Sequence, residues 1–211
     1  MNYKNVKPTT YKGMEYRSML ETRYNIHLKE HLNFDMDYEP EVPGLFGYKP
    51  DFVIYPKRTK LIDYLGKVKP IYVEIKPIRD VTKIFEDPDY DSFREKIYKN
   101  WNRENDLIVF GGSVFNRNHV AAVALCWQNN FPEHYGSYAI HYSIARESNK
   151  QIGLSWHHAE LYTENDHTYP IDGAIADNEK EAEAYIESSF NKAWSKLQWK
   201  PHRQTIRKIW R

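Results

Sequence analysis

Apolar residues recur at every fourth position near the start of the chain. Tyr16, Leu20, Tyr24, Leu28 and Leu32, with Met19 beside them, predict an amphipathic helix from about Gly13 to Leu32, after an irregular arm. The period then falls to two. Met36 and Tyr38 alternate with acids before Pro40, and Phe52-Val53-Ile54-Tyr55 is a short β-rich run closed by Pro56. Ile71, Val73 and Ile75 alternate with Tyr72, Glu74 and Lys76, which predicts a strand with one apolar face that ends at Pro77. Residues 78–90 read as an acidic loop. Ser92 with Glu95 forms a capping-box signature, and Phe93, Ile97 and Trp101 predict one face of a second helix. Leu107–Phe110 before Gly111-Gly112, and Val120–Trp127, are apolar runs of the kind that become buried strands. This order of elements predicts a layered α/β core.

Further along the pattern weakens. Residues 138–144 and 152–162 predict more strands. Asn178 with Glu181 opens a long helix with apolar positions Ala182, Ile186, Phe190, Trp194 and Leu197, broken at Pro201. The expected organisation is an arm (1–13), a core (14–127) and an extension (128–211) packed on the core as one domain. A chain of 211 residues can bury a core without disulfide or metal staples. No apolar run reaches the roughly 20 residues of a membrane helix, so no membrane partner is expected. The first residues lack a secretory signal's apolar stretch, and the single Cys126 excludes an internal disulfide and a cysteine zinc cage. A reducing, cytoplasmic setting is therefore expected.

Net charge is +1, but its distribution is uneven. Glu160 to Glu187 holds nine carboxylates against Lys180, whereas Phe190 to Arg211 holds seven bases and no acid. Two readings stay open: the basic block meets phosphates, or the two blocks neutralise each other across a helix. Lys200, Arg203, Arg207 and Arg211, beside Trp199 and Trp210, are the tail's candidate nucleic-acid contacts.

Three acids stand where a core would not ordinarily place them: Glu21 on the first helix, Asp51 just before Phe52-Val53-Ile54, and Glu74 inside a strand. Strand alternation points Glu74 and Lys76 the same way. Asp51, at the start of a neighbouring strand, can bring its carboxylate alongside Glu74, and two such carboxylates repel unless a cation lies between them. Hard divalent ions such as Mg²⁺ favour carboxylate oxygens, can activate water and can neutralise charge on a phosphate. Lys76 would set a positive charge beside the attacking water or the phosphate. Arg17 and Arg23 flank Glu21 as candidate phosphate contacts.

Pro50-Asp51 followed by Glu74-x-Lys76 resembles the signature of the PD-(D/E)XK nuclease superfamily, which has the restriction-endonuclease-like fold. The stretches Tyr16-Arg17-Ser18-Met19-Leu20-Glu21-x-Arg23, Tyr38-Glu39-Pro40-Glu41, Tyr48-x-Pro50-Asp51-Phe52 and Val73-Glu74-Ile75-Lys76-Pro77 are similar to its phage-borne and transposon-associated branch. The likeness covers roughly residues 14–127. It implies an αβββαβ core with a central mixed sheet flanked by helices, here followed by a β-rich and helical extension. It also implies a magnesium-dependent endonuclease acting on DNA in a bacterial or phage-infected cell, with Mn²⁺ able to substitute and no nucleotide cofactor. Asp51, Glu74, Glu21 and the main-chain carbonyl of Ile75 would hold the metal, and Glu21, Asp51, Glu74 and Lys76 would form the catalytic set. Two alternatives stay open. One is a non-cutting DNA- or partner-binding module. The other is a nuclease subunit of a transposition or recombination complex, working with a partner protein or a second copy.

Overall fold

The computed structural model describes residues 8–41, 48–55, 70–85, 87–100, 107–115, 120–127, 135–145, 152–156, 159–161, 168–170 and 177–197. Residues 1–7 of the expected irregular arm lie outside the described residues, and from Thr9 the chain forms a hairpin of β1 (Thr9–Tyr11) and β2 (Met14–Tyr16). Lys12 and Gly13 both take positive φ, 50° and 81°, as a two-residue hairpin turn requires. The helix accordingly starts later than expected. Ser18, in extended backbone, caps α1 (Met19–Asn25) by accepting the Glu21 N–H at 3.1 Å. From Ile26 to His31 the winding loosens to a π-helix. Its buried His27 faces α3 (Asp177–Lys196), where the Ser189 hydroxyl lies 2.9 Å from Nδ1.

Five strands form the centre of the main sheet. β3 (Met36–Tyr38) pairs antiparallel with β4 (Phe52–Ile54), and β4 pairs antiparallel with β5 (Ile71–Ile75). β5 pairs parallel with β6 (Leu107–Phe110), and β6 antiparallel with β7 (Ala122–Trp127). A parallel pair needs a crossover connection. Here it contains two 3₁₀ turns, Val81–Phe85 and Pro88–Tyr90, and then α2 (Asp91–Asn100). The acidic loop expected at 78–90 is thus partly helical, because its acids organise local turns. Asp80 accepts from the Thr82 N–H and hydroxyl, and Asp87 accepts from the Asp89 N–H. Ser92 lies inside α2 rather than capping it. β7 continues into β8 (Tyr135–Ala145), whose second half has β9 (Ile152–Trp156) on one edge and β11 (Thr168–Pro170) on the other. β10 (Ala159–Leu161) pairs with β9.

Both faces of the central strands are covered. Phe52, Ile54, Ile71, Val73, Ile75 and Phe110 pack with Tyr24 and Leu28, and with Ile186 and Phe190 of α3. Val53, Tyr72, Leu107 and Val109 pack on the other side with Ile84, Tyr90 and Ile97. The expected one-sided strand β5 is therefore buried along its whole length. Each fully buried aliphatic or aromatic side chain contributes roughly 1.5–3 kcal/mol, so this double layer holds the strand ends rigidly. On α3 the repeat Ile186, Phe190 and Leu197 faces inward as expected, but Trp194 is 51% exposed and Ala193 takes the buried position beside it. No helix among the described residues is long and apolar enough to cross a membrane.

Candidate active site

The antiparallel register pairs Phe52 with Val73, so the next step places Asp51 opposite Glu74 at one end of the sheet. Both acids are almost fully buried, at 3% and 2% exposure. Directly opposed like charges destabilise a sheet, so each acid needs local compensation. Asp51 sits where the β4 ladder ends, and its Oδ2 takes the Ile75 N–H at 2.7 Å in place of a backbone partner. Its Oδ1 receives the Arg17 guanidinium. Glu74 receives the buried Tyr48 hydroxyl on Oε1 and the Lys76 ammonium on Oε2, the latter at 2.5 Å. Glu74 and Lys76 therefore share a face, as alternation predicts.

Glu21 reaches the same cleft from the first turn of α1. The Tyr38 hydroxyl donates to it at 2.7 Å and the Ser18 hydroxyl at 2.9 Å. Arg17 ties the group together, with Nε 2.7 Å from Glu39 and 3.9 Å from Glu21 while Nη2 holds Asp51. Glu39 is fixed by its own N–H, which donates to the Asp51 carbonyl at 2.8 Å, and by Lys49 at 3.3 Å. It sits at φ 44°, a left-handed conformation uncommon outside glycine and enriched at functional sites.

The electrostatics follow from burial and spacing. Burial and then the charge of Glu74 push the Asp51 carboxyl well above its usual range, with Lys76 and the Ile75 N–H pulling the other way. Tyr48 is held protonated by burial and by Glu74. Burial disfavours the Arg17 charge, but Asp51, Glu21 and Glu39 more than offset that.

All four catalytic candidates, Glu21, Asp51, Glu74 and Lys76, line one cleft of about 970 Å³, and Ile75 lines it too. They do not form one three-acid cage. Among the described residues no three His, Cys, Asp or Glu side chains are grouped to hold a metal ion. Asp51 and Glu74 stand opposed, and Glu21 lines the same cleft with its carboxylate engaged by Ser18 and Tyr38. The pair still suits Mg²⁺, which is commonly held by one or two carboxylates and completes its shell with water and substrate oxygens.

The expected phosphate contacts divide three ways. Arg17 is engaged with the acids. Arg23 donates to the Phe190 carbonyl and the Asn191 side chain of α3, both at 2.9 Å, and covers the Phe190 ring. Lys200, Arg203, Arg207 and Arg211 lie outside the described residues. Lys196, from the same basic block, pairs with Glu30 at 3.1 Å. Sequence reasoning gave no role to Ser18, Tyr38 and Tyr48, or to the cleft cations Lys49, Arg79 and Lys96. For Tyr48 a signal was present: it stands three residues before Asp51 in the family-like stretch Tyr48-x-Pro50-Asp51-Phe52.

Comparison with protein-family models, curated proteins and solved structures finds no match.

Proposed function

We propose that the protein is a divalent-metal-dependent nuclease of the PD-(D/E)XK type, hydrolysing phosphodiester bonds in DNA. The observation that carries this reading is the meeting of Asp51 and Glu74 across adjacent strands, with Lys76 bonded to Glu74, in one open cleft. The element order α1, β3, β4, β5, α2, β6, with β5 and β6 parallel, agrees with the fold that the sequence resemblance implies. The cleft is lined by six bases (Arg17, Arg23, Lys49, Lys76, Arg79 and Lys96) against three acids, a surplus that favours a polyanion.

Asp51 and Glu74 would hold Mg²⁺, which would supply charge neutralisation and a more acidic water. The chain's own groups do the rest. The Ile75 N–H and the Tyr48 hydroxyl fix the two carboxylates so that little reorganisation is needed. Lys76, 19% exposed and 4.6 Å above the Phe93 ring, is restrained where its ammonium can stabilise the attacking oxygen or the developing phosphate charge. Glu21, held by the Tyr38 hydroxyl, lines the same cleft.

The test is incubation of supercoiled plasmid with Mg²⁺, Mn²⁺ or EDTA. The reading expects metal-dependent nicking, and a loss of at least about 100-fold in Asp51→Asn and Lys76→Ala. Full cleavage by either variant overturns the assignment. Tight DNA binding with no cutting by the wild type points instead to a binding module.

A further inference from the structure

We propose that Arg17 is an exchangeable internal counter-ion: it holds Asp51 until a divalent cation arrives, then gives up that carboxylate and turns its guanidinium to a substrate phosphate. The inference rests on the metal-dependent reading above and extends it to the order in which cation and DNA bind.

Each oxygen of the opposed acids already has a protein donor. Ile75 N–H and Arg17 serve Asp51, and Tyr48 and Lys76 serve Glu74. A dication seated on these carboxylates is repelled by any positive group bonded to the same oxygens. The Ile75 N–H is fixed in the sheet and the Tyr48 hydroxyl is neutral, so neither must leave. Lys76 is two residues from Glu74, mostly buried, and confined above Phe93. Arg17 differs on each count. Its side chain is 53% exposed at the cleft mouth, and it has a second anchor in Glu39 at 2.7 Å. Glu39 is itself fixed in its left-handed conformation by the Asp51 carbonyl and Lys49. Arg17 can therefore release Asp51 and stay paired through Nε. That leaves its terminal nitrogens for a phosphate, which guanidinium binds in bidentate fashion. Cation and DNA then favour one another, because each relieves the contact that opposes the other, and the coupling is reciprocal.

The experiment titrates Ca²⁺ into the full-length protein by calorimetry, with and without a short DNA duplex. In the wild type, DNA is expected to tighten Ca²⁺ binding about tenfold. Arg17→Gln is expected to bind Ca²⁺ alone about tenfold more tightly and to lose the effect of DNA. Lys12→Gln removes an exposed charge outside the cleft, where it pairs with Glu30, and should shift Ca²⁺ affinity by less than about twofold. Glu39→Gln is an independent arm, since it leaves Asp51 paired. Without its second anchor Arg17 stays on Asp51, and DNA no longer tightens Ca²⁺ binding. A folded Arg17→Gln with unchanged or weaker Ca²⁺ affinity, or a Glu39→Gln with full coupling, overturns the counter-ion role alone. Absence of Ca²⁺ binding in both the wild type and Arg17→Gln overturns the metal-dependent reading with it.

Discussion

The Tyr48 hydroxyl meets Glu74 where both side chains are largely buried. Tyr48→Phe keeps the ring and deletes the donor, leaving one oxygen of a buried carboxylate without it. A loss of about 1–3 kcal/mol in unfolding free energy is expected, read from the urea midpoint. An unchanged midpoint would mean that solvent reaches this oxygen after all. At this scale, chemistry was legible where the local pattern gave each side chain a direction. Alternation put Glu74 and Lys76 on one face, and Asp51 stood at a strand start. What the letters could not carry was the pairing of charges between distant segments. Arg17 reads as a candidate phosphate contact beside Glu21, yet its partners Glu39 and Asp51 arrive from two other segments. Glu21 reads as a third metal ligand from its helix alone, and the Tyr38 hydroxyl that holds it comes from a separate strand.

α3 is held on the π-helix by apolar contacts and by one buried polar pair, His27 and Ser189. Ser189 gives its single proton to the Ile186 carbonyl at 2.8 Å, so His27 must donate to it from Nδ1. Burial, with help from His31 and Arg23, lowers His27 from its usual 6.5 to about 3. Across that window the native state binds fewer protons than the unfolded chain, so stability falls as pH drops below 6.5. The slope from this one group reaches about 1.4 kcal/mol per pH unit. Urea unfolding between about pH 6.5 and pH 5 should show a steeper acid loss for the wild type than for His27→Gln, and equal slopes would contradict it. Elements with a sustained period were readable from sequence: the β4, β5 and β6 strands and the inward face of α3. The β1–β2 hairpin was missed because its turn residue Lys12 is an unusual one for positive φ, and Tyr16 happened to fit the helical repeat. The 3₁₀ turns were missed because side-chain caps made them rather than any apolar pattern.

Taken whole, the molecule is almost neutral, while the cleft holds twice as many bases as acids. DNA affinity measured in EDTA should therefore fall steeply with salt, and Arg79→Gln and Lys96→Gln should each reduce the log–log slope by about 1. Salt-independent binding would place the DNA elsewhere. The cleft also has a wall drawn from far along the chain. Trp194 of α3 lines it, and Arg23 of α1 reaches across to the carbonyl of Phe190. During synthesis the strands bearing Asp51 and Glu74 leave the ribosome well before that wall does. At roughly 5–20 residues per second the delay is several seconds, and for that time Tyr24 and Phe110 lack the cover of Phe190. A nascent chain thus carries Asp51 and Glu74 before it carries the finished groove around them, and the cleft is complete only once α3 has been made.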